Sequence, residues 1–146
     1  MKQERDIYKT YIAMIQNSVG TKMFRNFWVN DGKEFDAMKN GELSCAFYVS
    51  GILKMFNLID SLHGTVASTI VDLEKSGWKK VTKPKIGSVI VWEKQVFGGE
   101  EHAHIGFYVG ENRAISNSSE KGFPVRHNWQ FDGKRKIEVT YWKEIL

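Results

Sequence analysis

The chain contains one cysteine, Cys45, and four histidines, at positions 63, 102, 104 and 127. A cysteine does chemistry as thiolate, and that form is favoured where backbone N–H groups and the positive end of a helix dipole face the sulfur. Cys45 follows Ser44, a residue type that starts helices, and precedes the run Ala46-Phe47-Tyr48-Val49. The pattern places Cys45 in the first turn of a helix. The free N–H groups of such a turn can also hold the oxyanion formed when a thiolate attacks a carbonyl. A lone cysteine can equally be a small buried hydrophobe, so its partner decides. The usual partner is an imidazole held in place by a third group.

His104 is the histidine with an address. It opens the strand-like run His104-Ile105-Gly106-Phe107-Tyr108-Val109, and the start of a strand can face the end of a helix packed on the sheet. His63 and His127 read as surface or internally satisfied residues. His102 and His104 could form a metal pair, but an H-x-H without an acidic or sulfur partner at a recognised spacing is weak evidence. Neither a metal nor a cofactor is expected.

These residues need elements to hold them. Apolar residues recur at helical spacing over residues 3–19, with Gly20 as the stop, over 44–57, and over 65–76 with Gly77 closing. Residues 23–29 are aromatic and read as a short strand or extended loop, followed by a turn at Asn30-Asp31-Gly32. Strands are predicted at 87–92, 104–109, 113–116 and 137–142 from their β-branched and aromatic content. Helices first and antiparallel strands second predict an α+β domain spanning residues 1–146, with helices packed on one sheet.

Composition bounds the function. With 146 residues, 42% hydrophobic and 26% charged, the chain can bury a core as one domain. A single cysteine excludes an intramolecular disulfide. The net charge of +4, with lysines at 79, 80, 83 and 85 and a cluster at 134–136, suits an anionic partner or simply a solvated surface. The basic clusters lack the interleaved aromatics of single-strand binders, so no nucleic-acid partner is expected. No stretch has the pattern of a secretory signal or the length of a membrane span.

Three segments together resemble the CHAP amidases and the related NlpC-type cell-wall peptidases. Ser44-Cys45-Ala46-Phe47-Tyr48-Val49 is similar to their nucleophile helix. Ile86-Gly87-Ser88-Val89-Ile90-Val91-Trp92 resembles their first core strand. His102-Ala103-His104-Ile105-Gly106-Phe107-Tyr108-Val109-Gly110 resembles their histidine strand, and it selects His104 over His102. The likeness runs from about residue 11 to residue 141. The chain departs from the NlpC pattern in having Ser44 where an acid is usual and Ser88 where Asp is common.

The resemblance implies a papain-like fold, Cys45 as nucleophile, His104 as base and a polar residue on the next strand as orienter. In Ala114-Ile115-Ser116-Asn117-Ser118-Ser119, the CHAP-style alignment gives Asn117 and the NlpC-style alignment gives Ser116. Asn117 is the expected residue, because its amide oxygen can accept the imidazole N–H. Ser44 and Trp28 are expected beside the substrate. The implied activity is hydrolysis of an amide in peptidoglycan, either the sugar–peptide amide or a stem-peptide bond, by a monomer working at the cell wall. A papain-like module that binds wall peptides without catalysis is an alternative. So is a cysteine amidase directed at proteins, as in a toxin or effector.

Overall fold

Capping and apolar spacing set where the helices begin. In the computed structural model, which describes residues 2–145, α1 spans Ile7–Asn17 and buries Tyr11 and Ile15. It starts later than its apolar pattern suggested because Asp6 caps it, accepting the Lys9 N–H at 2.9 Å, and the residues before are polar. A small hairpin follows, β1 (Trp28–Asn30) paired antiparallel with β2 (Glu34–Asp36) across the expected turn. The Asp36 carboxylate then accepts from the N–H groups of Phe27, Met38 and Asn40 and from the Asn26 amide. Those four bonds fold the loop that delivers α2 (Cys45–Met55). Helix α3 (Val66–Lys75) is capped by Thr65, which accepts from Ser68 N–H.

The remaining strands are β3 (Lys79–Lys80), β4 (Val89–Phe97), β5 (Glu100–Gly110), β6 (Arg113–Ser118), β7 (Phe123–Asn128) and β8 (Ile137–Trp142). They form one six-stranded antiparallel sheet in the order β3-β8-β4-β5-β6-β7. The architecture is α+β: among the described residues, three α-helices and a six-stranded antiparallel sheet. Strand β7 was not anticipated: Pro124 and the charged Arg126 interrupt the β pattern, and pairing with β6 overrides it.

The two faces of the sheet differ. One face carries Val89, Val91, Ile105, Phe107, Ile115 and Tyr141, packed against Tyr48, Val49, Ile52 and Leu53 of α2, with α1 and α3 contributing Tyr11, Ile15 and Leu73. Each such side chain, fully buried, contributes roughly 1.5–3 kcal/mol. The other face centres on Ile90, Trp92 and Ala114, covered by Tyr108, Trp129, Phe131 and Ile137. Among the described residues no helix is long and apolar enough to cross a membrane.

Candidate active site

Strands β5 and β6 part where the site lies. Their ladder runs only as far as Gly106–Ser116, although β5 continues back to Glu100 and β6 on to Ser118. Tyr108 exchanges backbone bonds with the β4 side. By the two-residue alternation of a strand, His104 and Gly106 also turn their backbone groups to β4, and Ile105 turns its N–H toward the gap. Cys45, the first residue of α2, meets that N–H. The N–H groups of Ile105, Ala46 and Cys45 itself all act on its sulfur. Cys45 and His104 line one cleft of about 900 Å³.

His104 lies on the sheet face opposite the helices, registered beside Trp92. Its ring sits 5.3 Å from the Trp92 ring and 5.8 Å from Phe131. Its Nε2 lies 2.8 Å from Ser116 Oγ, and Ser116 Oγ lies 2.6 Å from Nε2 of His127. The His127 Nδ1 lies 2.7 Å from the carbonyl oxygen of Asn128, and its ring stacks on Phe131 at 4.1 Å. Gly106 makes room for this chain. A Cβ there would stand 2.6 Å from Ser116 Cβ and 2.8 Å from the Ile115 carbonyl oxygen.

The end of the chain fixes the direction of every proton in it. A carbonyl oxygen only accepts, so His127 Nδ1 carries the hydrogen. With His127 neutral, its Nε2 is bare and accepts from the Ser116 hydroxyl. Ser116 Oγ then accepts from His104 Nε2–H, and His104 Nδ1 is left with a lone pair. Both rings are held neutral. Burial, then the charge of Arg135 and then His127, push His104 down to about 3. Burial also lowers His127, outweighing the Asn128 carbonyl and Asp132, which act the other way.

The thiol is neutral at rest as well. Burial pushes it above its ordinary value, against the Ile105 and Ala46 N–H groups and Arg135, which pull it down. Sequence reasoning counted the helix N-terminus and not the desolvation, and desolvation wins. Both groups are therefore neutral at rest, a thiol and an imidazole lining one cleft, and not a preformed ion pair.

Three expected residues take other roles. Asn117 is buried, and its Nδ2 donates to the Gly41 carbonyl at 2.7 Å. Successive residues of a strand face opposite ways, so with Ser116 turned to His104, Asn117 is turned to the loop before α2. It positions Cys45 from the far side and does not orient the imidazole. Ser44 is fully buried and does not line the cleft, and its Oγ has no hydrogen-bond partner among the described residues. Trp28 is 63% exposed and faces away, while its neighbours Phe27 and Val29 form an apolar wall of the cleft with Met38 and Ala46.

Sequence reasoning missed His127 because β7 was not recognised, which left that histidine without a neighbour. No local signal marks it, because the pairing of β7 with β6 that brings His127 to Ser116 exists only in the folded sheet. His102 pairs with Glu100 at 3.8 Å, and among the described residues no group of three or more His, Cys, Asp or Glu is placed to hold a metal ion. No protein-family model matches the chain, and no curated protein matches it.

Proposed function

We propose that this protein is a cysteine-dependent amide hydrolase with Cys45 as nucleophile and His104 as base. One observation carries the reading: a first-turn cysteine shares a cleft with a neutral imidazole whose Nδ1 lone pair is set by the Ser116–His127–Asn128 chain. His104 Nδ1 takes the thiol proton as sulfur attacks the carbonyl. The first-turn N–H groups of α2 receive the oxyanion. The imidazolium then gives its proton to the leaving amine, and a water activated by His104 releases the acyl group from Cys45.

A cysteine helix that precedes the histidine strand and packs on an antiparallel sheet supports a papain-like arrangement. The motif resemblance and the net charge of +4 support peptidoglycan as the substrate. The raised thiol favours a second reading, a binding module that has lost catalysis. Digestion of purified peptidoglycan, followed by the appearance of new free amines, separates the two. The hydrolase reading expects release by the wild type and none by Cys45→Ala. Equal release by both sinks it.

A further inference from the structure

Arg135 lines the cleft and has no counter-ion among the described residues. It precedes β8 and is half-buried. Its Nε donates to the Glu93 carbonyl at 2.9 Å and its Nη2 to the His102 carbonyl at 2.7 Å. Among the described residues no carboxylate lies within ion-pair distance of it. Glu93, whose charge acts on it, turns its Oε1 to the Lys136 N–H at 3.1 Å. Yet the guanidinium is close enough to both reacting groups to act on Cys45 and on His104.

Buried charge is normally paired. Here two neutral carbonyls fix the plane of the fork while Nη1 makes no hydrogen bond among the described residues. A fork held in this way presents parallel N–H groups to a carboxylate. The other charged groups lining the cleft are Glu42, Lys94, Glu101, His102 and Glu120. Lys94, Glu101 and Glu120 are exposed, so the mouth carries more acid than base, and an anion is favoured only deep in the cleft beside Arg135.

We infer that Arg135 is the anion-recognition residue of this cleft and seats a carboxylate of the substrate beside the amide that Cys45 attacks. The substrate class is then an acidic peptide or acyl amide with a free carboxylate next to the scissile bond. The attack in this statement rests on the hydrolase reading, whereas the anion site rests on Arg135 alone.

Alkylation of Cys45 tests the anion site without any hydrolysis. The sulfur displaces iodide from iodoacetate or from iodoacetamide, forming the same S–C bond, with the thiol proton lost to His104 or solvent. Because both reagents use one thiolate, the ratio of their rates cancels changes in thiol pKa. The wild-type ratio of iodoacetate to iodoacetamide is expected to fall about tenfold in Arg135→Gln, the removed charge no longer concentrating the anion, and to fall less in Arg135→Lys, which keeps the charge and loses the fork. An unchanged ratio in folded Arg135→Gln overturns the inference. Should that variant not fold, protection of the wild type decides. Millimolar succinate is expected to slow alkylation by iodoacetamide and succinamide is not, and equal effects of the two overturn the proposal. A charge-dependent ratio in a protein that cleaves no amide would refute the hydrolase and leave the anion site standing.

Discussion

Ser116→Ala removes one oxygen that two imidazoles share, at 2.8 Å and 2.6 Å. Two half-buried ring nitrogens, walled by Trp92 and Phe131, lose their partner. At about 1–3 kcal/mol for each buried polar group left unsatisfied, the fold should lose on the order of 2–6 kcal/mol in urea unfolding. Loss of an oriented base should lower turnover by about 10²-fold, the low end of general-base contributions. The decisive assay is long-range ¹H–¹⁵N NMR of the histidine rings at neutral pH. In the wild type His104 is expected to carry its proton on Nε2 and His127 on Nδ1, opposite tautomers in adjacent rings. In Ser116→Ala that opposition should be lost. Acidification of the wild type should act the same way. A charged His127 donates from Nε2 to Ser116, the hydroxyl turns to His104 Nε2, and the His104 proton moves to Nδ1, where it blocks the base. Identical tautomers in the wild type, or a Ser116→Ala spectrum and turnover matching wild type, would refute the reasoning.

Stability should fall with acid along two limbs visible in urea melts across pH. His104, depressed to about 3 from 6.5, is protonated first in the unfolded chain. Its contribution is full above about 6.5 and falls as pH drops toward 3. Asp72, lowered to about 2 from 3.8 by the Asp60 N–H, His63 and Ser76 against the opposing effect of burial, contributes roughly 2 kcal/mol that is lost between those two values. Asp72→Asn should flatten the lower limb and leave the upper one. Gly106→Ala should destabilise by about 1–3 kcal/mol and scramble the His104 tautomer, because the added Cβ drives into Ser116, and the same melts and spectra report both. Ser44→Ala should leave alkylation unchanged and stability equal or up to about 1 kcal/mol higher, since it deletes a buried hydroxyl that no described residue satisfies.

The sequence made the larger elements legible because their periodicity is local. All three helices and four of the main strands could be read from spacing, and Cys45 could be placed at the first turn of α2. What escaped depends on pairing across the sheet. Ser116 and Asn117 are neighbours that point opposite ways, and only the Gly106–Ser116 register says which of them meets His104. His127 joins the site through a strand whose Pro124 and Arg126 conceal it. Trp28 was expected beside the substrate, and only the hairpin shows that its neighbours Phe27 and Val29 line the cleft instead. Desolvation of the thiol is a property of the packed molecule and leaves no mark in the residue order.

The parting of β5 and β6 beyond Gly106–Ser116 makes the candidate site a readout of strand alignment. His104, Ser116 and His127 come from three adjacent strands, and a slip of one residue in β6 would present Ile115 or Asn117 to the imidazole in place of Ser116. Cys45 must also arrive from a helix nearly sixty positions earlier in the chain. Such long-range contacts form late, after loop closure has been overcome, so no fragment and no partly zipped sheet contains the site. The desolvation that holds the Cys45 thiol above its ordinary value would then be complete only with the last pairing event, so the loss of thiol reactivity toward a weak electrophile would time the completion of folding more sharply than the growth of helix or strand signal.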